Sequence, residues 1–192
     1  MNLNFRHDRT RCLSSCIKAK SILFLLFSFL ALGAFSQFRF NNVPPIVPAT
    51  SWGGITFNLQ TTNSIRVDTI FVATSGSVGN TVNLELWYRS TPINGQPTTA
   101  EFSGTTPVWT NLVVSQQVPA GLNLAPIVIP GGLIMLANSE YGFYIGDPAF
   151  STSGVRYASS ATQSVHTNGT VTITSGANTG YGWVRNGTTY NT

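Results

Sequence analysis

The sequence of 192 residues has little charge and few histidines, and it has no cysteine after residue 16. Both cysteines, Cys12 and Cys16, precede an apolar run. The chain beyond that run can therefore form neither disulfides nor thiolate metal sites, and its stability must come from core packing and backbone pairing. Charged residues are 8% of the chain, where globular domains usually carry about 25%. With 42% hydrophobic residues the chain is still too apolar for the highly charged kind of disorder. Arg6, Arg9, Arg11, Lys18 and Lys20 against Asp8 account for the whole formal net charge of +4 before residue 21. After that point Arg39, Arg66, Arg89, Arg156 and Arg185 balance Asp68, Glu85, Glu101, Glu140 and Asp147. The sequence pI of about 9.4 thus belongs to the N-terminal segment. Nucleic-acid binding, which needs a basic patch on the folded part, loses its support.

The same scarcity limits catalysis. His166 is the sole histidine after His7, and neither a G-x-S-x-G elbow nor an H-E-x-x-H helix is present, so a Ser-His-Asp machine or a zincin has little to be built from. Glu85, Glu101, Glu140 and Asp147 stand singly through strands and turns. A polysaccharide hydrolase, the catalytic alternative, would need two of them about 5 to 9.5 Å apart in an open cleft. His166, beside Asn168-Gly169, reads as an exposed turn residue. A structural calcium ion is the cofactor that the composition leaves open, with Asp147 in Gly146-Asp147-Pro148 as the best single ligand; the competing reading is an aspartate that caps its own turn.

What is present begins with an export signal. Basic residues ending in Lys18 and Lys20 lead into the apolar stretch from Ile22 to Leu32, which has the length of a signal-peptide core and is too short to span a bilayer comfortably. Ala34 and Ser36 bracket Phe35 as small residues before a cleavage site, which places the mature N-terminus at Gln37 and leaves no membrane span in the mature chain. An uncleaved anchor is the alternative, distinguished by intact mass. Leu13-Ser14-Ser15-Cys16 imitates a lipoprotein box but precedes the apolar region instead of following it. Residues 37–50, with Pro44, Pro45 and Pro48, read as an extended leader, and residues 51–192 as one domain.

From Ser51 onward apolar residues recur at period two, and no window sustains a helical pattern. Ile55, Phe57 and Leu59 alternate with Thr56, Asn58 and Gln60. Leu84, Leu86 and Tyr88 alternate with Glu85, Trp87 and Arg89. Further runs lie at 65–72, 108–114, 122–129, 141–145, 155–158, 171–173 and 181–185, separated by Gly, Pro and Asn turns. Asn168-Gly169 reads as a two-residue primed turn, in which both residues take positive φ. The expected architecture is an all-β antiparallel sandwich of about eight or nine strands, jelly-roll or immunoglobulin-like.

The runs Gly53 to Leu59, Val82 to Arg89, Trp109 to Leu112, Tyr141 to Ile145 and Trp183 to Thr188 resemble a β-sandwich module of secreted and surface proteins in Gram-negative bacteria, notably the Bacteroidetes. The likeness covers residues 51–190 and implies an uncharacterised extracellular module, often part of a longer protein. A C-terminal sorting domain commonly follows such modules; its absence before Thr192 makes a truncated reading frame an expectation.

The leading functional expectation is a secreted, non-enzymatic sandwich with a structural, adhesive or recognition role at the cell surface. The first alternative is a carbohydrate-binding module. On this reading Trp87 and Trp109 stack on a pyranose, and Glu85 and Arg89, projecting from the same face, hydrogen-bond its hydroxyls. The competing assignment has a second sheet or a loop covering that face, with the tryptophans packed between layers. It takes precedence because sandwich cores commonly contain Trp and because the Trp87-Tyr88 doublet places one aromatic on each face. The expected partner is accordingly a glycan or another cell-surface molecule.

Overall fold

A computed structural model describes residues 50–149, 154–157, 163–185 and 188–191. The export segment, the bulk of the leader and residues 186–187 lie outside these residues. The strands are β1 (Thr50–Trp52), β2 (Gly54–Thr61), β3 (Ile65–Thr74), β4 (Thr81–Arg89), β5 (Thr110–Pro119), β6 (Ala125–Met135), β7 (Ser139–Gly146), β8 (Val155–Tyr157), β9 (Ser164–Thr167), β10 (Val171–Ser175), β11 (Tyr181–Val184) and β12 (Thr188–Asn191). A single helical turn, α1 (Thr99–Ser103), lies between β4 and β5. Among the described residues twelve strands stand where eight or nine were expected, the additions being the short β1, β9 and β12.

The strands form an antiparallel β-sandwich. A four-stranded sheet has the order β1-β8-β3-β6, and the larger sheet runs β12-β11-β2-β7-β4-β5. β10 shares the outer edge of β2 with β11. It pairs from Val171↔Thr61 to Thr174↔Asn58, and β11 resumes at Gly182↔Ile55. Residues 176–180 therefore leave the sheet as a loop that folds over its surface. β1 and β2 are one continuous path bent at Gly53, so the chain passes from the small sheet to the large one at that corner, as sandwich strands that switch sheets do.

Between the sheets lies the core that the alternation predicts for β2, β4 and β7. In β3 the irregularity between Val67 and Thr69 shifts the phase, so that Val72 joins Ile65 and Val67 inside and Phe71 turns outward. Phe57 and Leu59 of β2, Leu84 and Leu86 of β4, and Phe143 and Ile145 of β7 face Val72 of β3, Ile127, Ile129 and Met135 of β6, and Val155 of β8. Phe57 and Phe143 stack directly across the β2–β7 ladder, with centroids 5.4 Å apart. Without disulfides, burial at about 25 cal/mol per Å² of apolar surface is the main favourable term holding this assembly.

The β9–β10 hairpin exists, but its turn differs from the expected one. Gly169 has positive φ and Asn168 does not. The last ladder pair is Thr172↔Thr167, leaving residues 168–171 as the connection. Asn168 Oδ1 accepts from the amides of Thr170 and Val171 at 3.0 and 2.8 Å, so the side chain substitutes for the strained backbone of a two-residue turn. α1 is a second departure. Five residues are too few to show a period, yet Thr98 and Glu101 form a capping box around its start.

Candidate functional site

Period two sends Gly54, Thr56 and Asn58 of β2, Gly142, Tyr144 and Gly146 of β7, and Glu85, Trp87 and Arg89 of β4 to the face of the large sheet opposite the core. Cross-strand pairs align them in rows: Thr56↔Tyr144↔Trp87, Asn58↔Gly142↔Arg89 and Gly54↔Gly146↔Glu85. The glycines make room for the large groups beside them. A Cβ on Gly146 would overlap the Tyr144 hydroxyl, and one on Gly142 would meet Ile93 Cγ1 at 2.7 Å and Arg89 Cγ at 2.9 Å.

This face is covered. Residues 90–109, including α1, and the 176–180 loop fold onto it, and Ile93, Phe102 and Trp109 of the first form a second apolar cluster with Tyr144 of β7 and Tyr181 of β11, with Trp87 packed at its margin. Phe102 is its centre. Its ring stacks on Trp109 at 4.7 Å and meets Trp87 and Tyr144 edge-on, each at 5.4 Å. Asn58 anchors one covering segment, donating from Nδ2 to the Ile93 carbonyl at 3.1 Å and accepting from the Ile93 amide at 2.8 Å. Thr56 anchors the other: its hydroxyl donates to the Thr179 carbonyl at 3.0 Å and accepts from the Tyr181 amide at 2.9 Å. Buried polar side chains are stable only when paired in this way.

The charges form two ion pairs. Glu85, 1% exposed, accepts from Arg185 Nε at 2.6 Å, and the Arg185 guanidinium lies 5.1 Å from the centre of the Trp87 ring. Glu101 Oε2 accepts from Trp109 Nε1 at 3.2 Å and from the Thr98 amide at 3.4 Å, with Arg89 Nη1 at 3.7 Å. Arg89 in turn lies 5.7 Å from the Trp109 ring centre. The Tyr144 hydroxyl, enclosed beside Glu85, has its pKa pushed above the usual value near 10, first by burial and then by the carboxylate; Arg185 works in the opposite direction.

Three of the four candidate binding residues, Glu85, Trp87 and Arg89, thus share one face, and Trp109 belongs to the segment that covers it, so the four form no open platform. Trp109 is 3% exposed, with one ring face against Phe102 and its Nε1 directed to Glu101, which leaves no surface on which a pyranose can stack. Trp87 is half-buried, and its Nε1 has no hydrogen-bond partner. Glu85 is shut beneath Arg185. Asp147 Oδ1 accepts from the Ala149 amide at 2.8 Å, capping its turn. Among the described residues no three His, Cys, Asp or Glu side chains gather into a metal-binding group, and no helix is long and apolar enough to cross a membrane.

Phe102, Ile93, Asn58, Tyr144 and the partnership of Arg185 with Glu85 were not singled out by sequence reasoning. Two signals in the chain announced parts of the site: the Gly142-x-Tyr144-x-Gly146 alternation, which implies a large ring lying flat between bare positions, and the Thr98-x-x-Glu101 box. Compared with known proteins, the chain matches no family model, no curated protein and no solved structure at a significant level.

Proposed function

We propose that this chain is an exported, non-catalytic β-sandwich module with a structural, adhesive or recognition role at the bacterial surface. The observation that carries the reading is the internal use of its chemistry-bearing side chains. Glu85 pairs with Arg185, and Glu101 is held by Arg89 and Trp109, as they would be in a scaffold. The basic segment followed by an apolar run at 22–32 supplies the route out of the cytoplasm.

The test is made on cells and on the purified chain. Cells expressing the gene should display a product beginning at Gln37 that external protease removes, and deletion of the gene should weaken attachment between cells or to a substrate. Polysaccharides incubated with the purified chain should show no new reducing ends. Material retained in the cytosol with residues 1–36 intact would refute the surface role. Glycan-array binding abolished by Trp87→Ala would move the assignment to carbohydrate recognition.

A further inference from the structure

Two loops of the domain carry the same reactive dipeptide. Asn94-Gly95 precedes α1 and Asn168-Gly169 joins β9 to β10; they are the Asn-Gly pairs among the described residues. In such a pair the amide nitrogen after the asparagine can reach the side-chain carbonyl carbon and close a cyclic imide, because glycine puts no Cβ in the way. Both asparagines are exposed, and a Cβ on Gly95 or on Gly169 would meet nothing within 4 Å. By dipeptide and by access the two sites are equivalent.

Their nucleophiles are matched as well. The Gly169 amide donates to Thr167 Oγ1 at 3.1 Å and the Gly95 amide to the Asn178 carbonyl at 2.9 Å, so each gives up one hydrogen bond before it attacks. The carbonyls under attack are not matched. Asn168 Oδ1 accepts from the Thr170 amide at 3.0 Å and from the Val171 amide at 2.8 Å, whereas the Asn94 side chain bonds no described residue. When a nitrogen adds to Asn168 Cγ, negative charge develops on Oδ1, where these two donors already point. A fixed donor aimed at a developing oxyanion is worth about 10²–10³ in rate inside an enzyme, and an exposed turn keeps part of that.

We infer that Asn168 is a site of spontaneous imide formation and deamidation, selected over Asn94 by the two backbone donors on its side chain. Solvent alone balances the reaction. Hydroxide removes the Gly169 amide proton, and the nitrogen attacks Asn168 Cγ, forming the new C–N bond and placing the charge on Oδ1. As that charge collapses, the Cγ–Nδ2 bond breaks, and Nδ2 leaves as ammonia with a proton from water, which restores hydroxide. Water then opens the imide, at Cγ to give aspartate or at the main-chain carbonyl to give isoaspartate. Aspartate adds a negative charge to a chain whose Arg and Asp plus Glu are equal in number beyond residue 20. Isoaspartate lengthens the main chain by a methylene inside the turn and so shifts Thr172↔Thr167 and the pairs beyond it out of register. Among the described strands β9 pairs with β10 alone, so this product frees it from the sheet.

The test needs no variant. The purified chain is incubated in mildly alkaline buffer, once folded and once in concentrated urea, with circular dichroism reporting the state of each sample. Peptides holding Asn168 and Asn94 are then followed by mass spectrometry, with electron-transfer fragmentation to tell isoaspartate from aspartate. In the folded chain Asn168 should deamidate at least about tenfold faster than Asn94. In urea the two rates should converge, because the Thr170 and Val171 amides no longer face Oδ1. Asn94 in the same tube corrects for any effect of urea on the reaction itself. Equal rates in the folded chain, faster loss at Asn94, or an Asn168-to-Asn94 ratio that rises on unfolding would each overturn the inference.

Discussion

The two outward faces of the sandwich start from the same alternation and reach opposite ends. On the large sheet, Thr56, Asn58, Glu85, Tyr144 and Trp87 lie under a layer of loops and α1. On the small sheet, Val128 and Ile134 are exposed beside the Arg66–Asp68 pair. The difference runs against the usual polarity rule: the more polar set of strand residues is the one that became buried. It is buried because Thr56 and Asn58 bond the backbone of covering segments distant in sequence and Glu85 pairs with Arg185, whereas the aliphatic set has no hydrogen-bonding groups with which to hold a cover. Polar strand positions can therefore mark where a third layer docks, provided that the groups to be satisfied are backbone amides and carbonyls of a loop.

That contrast can be broken from the covered side first. Phe102→Ala removes the ring that touches Trp87, Trp109 and Tyr144 together, and should lower stability by about 3–5 kcal/mol, with loss of near-ultraviolet circular dichroism from the stacked tryptophan. Arg185→Ala leaves Glu85 buried without its cation and should cost about 3 kcal/mol in urea unfolding, discounted within the range for buried pairs because Arg185 keeps part of its side chain in solvent. Asn58→Ala strips both partners from the Ile93 backbone and should lower stability by about 2 kcal/mol, with faster amide exchange across residues 90–98 as the local readout.

The enclosed Tyr144 makes the covered face sensitive to alkali. Because its folded pKa is raised, its contribution is fully present below the ordinary tyrosine value near 10 and is lost as pH rises above it, where the unfolded chain releases a proton that the folded chain retains. Urea midpoints between pH 8 and pH 11 should fall by an amount corresponding to about 1 kcal/mol, and Tyr144→Phe should flatten that fall. The smallest effect belongs to the outer face of the small sheet. Ile134→Ser should change stability by no more than about 0.5 kcal/mol, measured by urea unfolding. A loss there comparable to that of Phe102→Ala would erase the distinction between the two faces.

Much of the framework was legible in the chain. The alternation of Leu84, Leu86 and Tyr88 with Glu85, Trp87 and Arg89 put the right residues in the core and the candidate site residues together on the other face. The β9–β10 hairpin was legible as a connection, but its geometry was not, since Asn168 could satisfy the turn through either its backbone or its side chain. α1 escaped because one helical turn has no measurable period, although its capping box stood in the sequence. The state of Trp109 was beyond reach, because its cover, Phe102, comes from a segment with no strand pattern of its own.

Local periodicity and turn chemistry thus determined which residues look inward and which look outward, since both depend on neighbours along the chain. Only the tertiary structure decided which outward surface would be roofed. The contacts that settle it, Thr56 with Thr179 across 123 positions and Glu85 with Arg185 across 100, join parts of the chain that no local pattern relates.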